Sequence, residues 1–159
     1  MTTRELMEQL RMAVETELQE TVEQFIPDKN NELYTMLCYH MGWQGEKAGL
    51  DAQGKRIRPM LILLCTAALG CDWHKALPAA AGLELLHNFS SIHDDIQDQS
   101  ELRRGRPTVW KKWGIAQAIN AGDCMFTISH LSMLKLKDLI GFERTIKAAG
   151  LLQQAAIDI

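Results

Sequence analysis

Residues 83–98, LELLHNFSSIHDDIQD, decide the fold of this chain and point to its chemistry. Apolar and small side chains dominate the part before Asp94 and recur at three- and four-residue spacing, which predicts a largely buried α-helix. The stretch ends in carboxylates, and Asp94 and Asp98 share one helix face because they are four residues apart. Like charges at the end of a buried helix repel each other and resist desolvation. The stretch therefore predicts either a solvated helix terminus or a cation site.

The cation interpretation gains support from the position of these carboxylates. The macrodipole is already negative at a helix C-terminus, so a cation bound there would offset an unfavourable placement. Hard oxygen ligands suit Mg²⁺, which typically takes one or two carboxylates and completes its shell with waters and phosphate oxygens. Solvated aspartates on a fraying helix end remain the alternative for this motif taken alone.

Two basic stretches lie on either side of the carboxylate helix: GKRIRP, residues 54–59, and RRGRP, residues 103–107. Guanidinium groups are well suited to bind phosphate oxygens. A diphosphate bridged by a metal ion requires carboxylates that bind the metal and basic groups that bind the phosphates, and the sequence has both. In the first stretch, Lys55 and Arg58 are three residues apart and could point the same way even in an irregular turn. A basic surface loop is the alternative for GKRIRP considered by itself.

The spacing of apolar residues elsewhere predicts an all-α fold. The predicted helical segments are residues 3–25, 31–42, 59–70, 78–98, 107–141 and 142–159, with loops at 42–56 and 99–106. The first segment has an apolar stripe made of Leu6, Leu10, Val14, Leu18 and Val22. Pro27 is expected to end it, since proline cannot continue a helix.

Composition excludes several classes of function. The formal net charge is −3, from 17 basic and 20 acidic residues, which argues against bulk nucleic-acid binding. The longest apolar run is too short to span a bilayer, and the charged N-terminus lacks a signal sequence, so a cytoplasmic location is expected. The four cysteines lack metal-ligand spacing and are predicted to be reduced thiols.

In this order and spacing, GKRIRP, ELLHNFSSIHDDIQD and RRGRPTVW resemble the trans-type isoprenyl diphosphate synthases, or polyprenyl synthetases, over residues 54–123. The resemblance implies an all-α helical bundle of the isoprenoid synthase type around a deep cavity, usually as a homodimer. It also implies an Mg²⁺-dependent, head-to-tail condensation of isopentenyl diphosphate with an allylic diphosphate, giving a linear isoprenyl diphosphate.

The resemblance assigns roles to individual residues. Asp94 and Asp98 would hold Mg²⁺, and Asp95 would support them. Arg103 would contact the allylic diphosphate. The residues assigned to isopentenyl diphosphate are Lys55, Arg58, His87 and Arg104. Arg56 and Arg106 are interpreted as supporting charges, and the spacing of His87 from Glu84 together with the resemblance favours a ligand over an ordinary buried histidine.

Product length is expected to depend on the same helix. Phe89 lies five residues before Asp94, about 7.5 Å along the axis, and Leu86 and Leu83 lie deeper. In the family that it resembles, a bulky aromatic at this position limits the product. We therefore hypothesise a geranylgeranyl (C20) product, while shorter and longer products, or a core role for Phe89, stay open.

The family's later motifs are absent from the 159 residues, and Gln53 stands where the family has a first glycine. We therefore expect residues 1–159 to be the N-terminal part of a single isoprenoid synthase domain, truncated inside a helix and inactive alone. Apolar helix faces left exposed would favour a homodimer or higher oligomer. The alternative is a naturally short, non-catalytic subunit or binding module. A class I terpene cyclase is disfavoured, because that class lacks GKRIRP and RRGRP.

Overall fold

The computed structural model describes residues 2–158, and within this range the all-α prediction is confirmed. The helices are α1 (Thr3–Phe25), α2 (Glu32–His40), α3 (Leu50–Gln53), α4 (Ile57–Ala68), α5 (Leu77–Gln97), α6 (Val109–Trp113), α7 (Ile115–Leu134), α8 (Lys137–Ile140) and α9 (Phe142–Ile157). A 3₁₀ turn, Trp73–Ala76, leads into α5. Two short strands, β1 (Leu102–Arg103) and β2 (Arg106–Pro107), separate α5 from α6.

The long helices begin and end close to the predicted positions. Four residues of the α1 stripe, Leu10, Val14, Leu18 and Val22, are at most 1% exposed, and α1 ends two residues before Pro27. Asn31 caps α2 by accepting a hydrogen bond from the Leu33 amide at 2.8 Å. Helices α4 and α5 each have a proline within the first turn, where its missing N–H leaves no helical hydrogen bond unmade.

The predicted loop at residues 99–106 is wrong, because part of it forms an antiparallel hairpin. Strand β1 pairs with β2 in the register Leu102–Pro107 and Arg103–Arg106. The two turn residues, Arg104 and Gly105, have φ values of 52° and 71°. A two-residue turn with both φ values positive matches the right-handed twist of the strands that it joins. Glycine adopts this backbone freely, whereas for Arg104 the left-handed conformation costs about 1–2 kcal/mol.

The helical region predicted over residues 107–141 is divided into three helices, α6, α7 and α8. Gly114 has a φ of 86° and ends α6, and its amide donates to the Trp110 carbonyl at 2.9 Å. A turn at residues 135–136 separates α7 from α8. The apolar periodicity continues across these breaks, which explains why the sequence pattern alone did not show them.

The described residues pack as two compact units. The first unit contains residues 2–21, 56–85 and 128–158, and the second contains residues 22–55 and 86–127. Large, fully buried side chains form the core of each unit: Leu10, Leu18, Leu63, Leu85 and Leu136 in the first, and Met36, Leu37, Met41, Leu86, Ile92 and Met125 in the second. The single domain over residues 1–159 stays a prediction. Within residues 2–158, no helix has both the length and the apolar character needed to cross a membrane.

Candidate functional site

The carboxylates at the end of α5 face two different environments. Asp94 and Asp98 are exposed, whereas Asp95 is 3% exposed. Asp98 lies just beyond α5, and its amide donates to the Asp94 carbonyl at 2.8 Å, so the helical turn continues through it. Asp94 and Asp98, which are predicted to hold Mg²⁺, therefore lie on the same helical turn, and both are accessible to solvent.

Asp95 forms a two-pronged ion pair with Arg103 of β1. Arg103 Nε donates to Asp95 Oδ2 at 2.9 Å, and Nη2 donates to Oδ1 at 3.0 Å. The Asp95 side chain is 4% exposed and that of Arg103 is 34% exposed. A bidentate pair fixes the orientation of the guanidinium as well as its charge. Arg103 is thus held at the end of the carboxylate helix, while part of its surface stays accessible.

Arg104, in the hairpin turn, extends to the segment between α2 and α4. Its Nη1 donates to the Ala52 carbonyl at 2.7 Å. A Cβ placed on Gly54 would lie 2.6 Å from Arg104 Nη2, so a side chain at Gly54 would displace the guanidinium. Gly54 has a φ of 80° and precedes Lys55, which is exposed. The two basic sequence stretches therefore meet at Arg104 and Gly54, within the second unit.

Arg106, on β2, points inward instead and is 4% exposed. Its Nη1 and Nη2 donate to the carbonyls of Tyr39 and Gln44 at 2.8 and 2.7 Å. Its guanidinium carbon lies 4.0 Å from the centre of the Tyr39 ring, a cation–π geometry. Burial raises the pKa of the Tyr39 hydroxyl above its ordinary value, although the Arg106 charge acts in the opposite direction. The Arg106 guanidinium thus contacts buried groups of the protein rather than solvent.

Arg56 is buried within the first unit. Its Nε donates to Glu15 Oε1 at 2.6 Å, and its Nη1 donates to Glu84 Oε1 at 3.0 Å. Arg56 has a φ of 49° and immediately precedes α4. The side chain is fully buried, and two carboxylates compensate its charge.

The other predicted residues are distributed over both units. Arg58 is exposed on α4 of the first unit, and Leu83 is half-buried on α5 in the same unit. His87 is half-buried and Leu86 is fully buried in the second unit. The Phe89 ring lies 4.9 Å from the rings of His93 and of Phe126, which belongs to α7. Phe126 was not singled out from the sequence, because its neighbourhood to Phe89 arises only when α5 and α7 pack together.

The donor set at the end of α5 suits Mg²⁺ in chemistry but is incomplete by itself. Among residues 2–158 the structure has no group of three or more His, Cys, Asp or Glu side chains that could hold a metal ion. Magnesium, however, commonly uses one or two carboxylates together with water and substrate phosphate. Two exposed carboxylates, Asp94 and Asp98, fit that requirement when a diphosphate provides further oxygens.

Comparison with known proteins gives consistent matches. The family model described as polyprenyl synthetase matches residues 47–159. The (2E,6E)-farnesyl diphosphate synthase of Mycobacterium tuberculosis is 41% identical over 116 residues, which cover 72% of this chain and 32% of that protein. The geranylgeranyl diphosphate synthase of Methanosarcina mazei is 50% identical over 89 residues, which cover 56% of this chain and 28% of that protein.

A solved structure extends the likeness to the fold. The crystal structure of polyprenyl synthetase from Streptomyces coelicolor A3(2) superimposes with a TM-score of 0.83 at 33% identity. The match covers 98% of this chain and 44% of that one. The helical fold is therefore similar to that of this structure over almost the whole chain. The chain spans about a third of the length of the curated relatives that it matches.

Proposed function

This chain belongs to the polyprenyl synthetase family, and we propose that its protein condenses isopentenyl diphosphate with an allylic diphosphate to form a longer linear isoprenyl diphosphate. One observation carries the proposal: exposed Asp94 and Asp98 at the end of α5, followed by a hairpin that presents Arg103 and Arg104. Acid for a metal and base for phosphate are thus combined in one unit. The relatives named as farnesyl and geranylgeranyl diphosphate synthases support the same class of reaction.

Asp94 and Asp98 would hold Mg²⁺, and Arg103, oriented by Asp95, would contact the allylic diphosphate. When bound, the metal supplies positive charge that stabilises the diphosphate as a leaving group. The guanidinium of Arg103 is already oriented before the reaction, so the site needs little reorganisation when charge develops on the leaving diphosphate. These roles make Asp94, Asp95, Asp98 and Arg103 the catalytic group of the proposal.

Within the second unit, Lys55, His87 and Arg104 would bind isopentenyl diphosphate; for Arg58, in the first unit, binding of this substrate stays a prediction. The substrate's double bond would then attack the allylic carbon as the bond to the first diphosphate breaks, and that diphosphate leaves with the electron pair. A proton is afterwards lost from the new carbocation, with the released diphosphate as its acceptor. Holding the two substrates side by side accounts for part of the acceleration through proximity.

We propose a geranylgeranyl-type product, with Phe89 limiting its length. Support comes from the position of Phe89, whose ring lies 4.9 Å from that of Phe126 on α7, so that two aromatic side chains meet five residues before Asp94. Leu86, in the same unit as Phe89, would line the deeper part of the chain-binding region, and the role of Leu83 stays a prediction. Product analysis of Phe89→Ala in the active protein checks this: longer products are expected, and an unchanged length contradicts the assignment.

The second candidate is a non-catalytic subunit or binding module that retains diphosphate affinity. Its support is that Arg103 and Arg104, which would contact diphosphate, lie in the same unit as Asp94 and Asp98. In either case we propose that this chain alone does not condense substrates efficiently. A homodimer or higher oligomer and a cytoplasmic location stay predictions.

The deciding experiment is a prenyltransferase assay with labelled isopentenyl diphosphate, Mg²⁺ and allylic primers of increasing length. It is run on this chain and on a longer protein that contains it. Elongated product that is lost in Asp94→Asn supports the proposed enzyme. Diphosphate binding without elongation in both proteins would favour the binding module. Consumption of an allylic diphosphate without isopentenyl diphosphate would point to a terpene cyclase.

A further inference from the structure

Three basic side chains join the hairpin to the segment between α2 and α4, all within the second unit. Arg104 donates to the Ala52 carbonyl at 2.7 Å, and Lys47 Nζ donates to the Gly105 carbonyl at 3.3 Å. Arg106 makes the third connection and is the buried one. The hairpin is therefore attached to this segment at its turn and at its second strand.

The Arg106 connection is reciprocal. Arg106 donates to the carbonyls of Tyr39 and Gln44, and the Tyr39 hydroxyl donates back to the Pro107 carbonyl at 2.8 Å. Within the described structure, Arg106 Nε is buried without a hydrogen-bond partner, and the hydrogen bonds of Nη1 and Nη2 both go to the α2 side. A Cβ on Gly45 would come within 2.7 Å of the Tyr39 ring and 3.1 Å of Arg106 Nη2. The ring and the guanidinium thus fill this space tightly.

The contacts of Arg106 with α2 affect the hairpin turn at Arg104. Arg104 is in the left-handed conformation, and its guanidinium lies over Gly54, the residue before Lys55. Such a strained conformation persists only when surrounding contacts hold it in place. Arg106 lies two residues after Arg104 and has the buried contacts that can do so.

We propose that Arg106 is a positioning residue of the diphosphate site: it holds the hairpin against α2 so that the Arg104 guanidinium stays over Gly54, the residue before Lys55. This inference rests on the proposed function, in which Arg104 and Lys55 bind isopentenyl diphosphate. Arg106 itself is buried and touches no substrate. It acts through Arg104, and a double-mutant cycle can measure that dependence.

The first experiment titrates this chain with inorganic diphosphate by calorimetry, without added Mg²⁺, so that the basic residues are tested apart from the metal ligands. Arg106→Lys keeps the positive charge but loses the planar fork that reaches two carbonyls. We expect the Kd for diphosphate to rise about tenfold, because small displacements of binding groups are costly. Arg144→Lys, at an exposed position of α9, makes the same chemical change and should leave the Kd unaltered.

The second experiment separates positioning from general destabilisation. Arg106→Lys is repeated in an Arg104→Gln background, where less than a twofold further change in Kd is expected, since the group being positioned is gone. Circular dichroism and thermal unfolding establish that each variant is folded. If Arg106→Lys does not fold, Tyr39→Phe takes its place, because it removes only the hydroxyl bond to Pro107.

Two results overturn the inference: an unchanged Kd in folded Arg106→Lys, or effects of the Arg106 and Arg104 changes that are simply additive. If the unchanged chain binds diphosphate, these results leave the proposed function standing. If the unchanged chain and the longer protein neither bind diphosphate nor elongate a primer, the proposed function fails and the inference fails with it.

Discussion

Arg56 and Arg106 lie in two basic stretches that look alike in the sequence, and both side chains are buried, yet their charges are compensated in opposite ways. Arg56, in the first unit, is paired with two carboxylates, those of Glu15 and Glu84. Arg106, in the second unit, donates to neutral backbone carbonyls and stacks on the ring of Tyr39. Arg56 is thus part of a network of ion pairs, whereas Arg106 connects two segments of the chain through hydrogen bonds to backbone carbonyls.

The difference predicts what happens when each arginine is removed. A buried carboxylate left without its cation keeps a charge in a poorly solvated place, which is strongly destabilising. A carbonyl left without its donor loses a hydrogen bond but carries no net charge. The first basic stretch also holds two exposed residues, Lys55 and Arg58, whose removal should affect ligand binding rather than folding.

Arg56→Met is expected to have the largest effect. It leaves Glu84, which is 4% exposed, without this ion pair, and the free energy of unfolding should fall by about 3–5 kcal/mol. Urea unfolding followed by circular dichroism measures the change. Arg144→Met on the exposed side of α9 is the matched control and should stay within about 0.5 kcal/mol of the parent. An Arg56→Met effect as small as the control's would show that the network does not stabilise the first unit.

Arg106→Met should lower the free energy of unfolding by about 2 kcal/mol, because the loss of two hydrogen bonds to carbonyls is partly offset by removal of the desolvation cost of the buried guanidinium. The same urea titration applies. A loss equal to or greater than that of Arg56→Met would break the distinction between the two arginines.

Adding Glu84→Gln to Arg56→Met should recover about 1 kcal/mol of the lost stability, because the double variant no longer holds a carboxylate whose ion pair with Arg56 is lost. The double-mutant cycle is completed with Glu84→Gln alone. Strict additivity of the two changes would show that their charges are not coupled.

Tyr39→Phe should lower the free energy of unfolding by about 1 kcal/mol through loss of the hydroxyl bond to the Pro107 carbonyl. The ring under Arg106 remains, so a much larger loss would mean that the hydroxyl supports more than this one contact. Thermal unfolding of the variant beside the parent measures the difference.

Lys55→Gln and Arg58→Gln should change the free energy of unfolding by less than about 0.5 kcal/mol, because both side chains are exposed. Binding of inorganic diphosphate, measured by calorimetry, should nevertheless weaken in both variants. Normal binding with reduced stability would reverse the roles assigned to exposed and buried members of these stretches.

Sequence patterns predicted those parts of the fold in which local spacing dominates. The stripe of α1 and the apolar run of α5 repeat over several turns, so their helices and buried faces followed from periodicity alone. The hairpin was missed because four strand residues are too few to show alternation. The breaks around Gly114 were missed because the apolar pattern continues on both sides of it.

The candidate site divides in the same way. The carboxylate spacing and the basic stretches could be predicted from the sequence, because residue type and helical geometry are local properties. The sequence did not show which arginines are buried. Arg56 and Arg106 are the same residue type as Arg58 and Arg104, and the packing around each side chain distinguishes them.

By itself, the sequence determined a helical chain, the pair Asp94 and Asp98 on one helical turn, and the family that its three motifs indicate. Only the tertiary structure decided that Asp95 is paired with Arg103, that Arg104 lies over Gly54, and that Arg56 and Arg106 are buried. The physical reason is that burial of a charge depends on partners far away in the chain. Glu15 and Glu84 approach Arg56 only when their helices pack, and the Tyr39 and Gln44 carbonyls reach Arg106 only when the hairpin docks on α2.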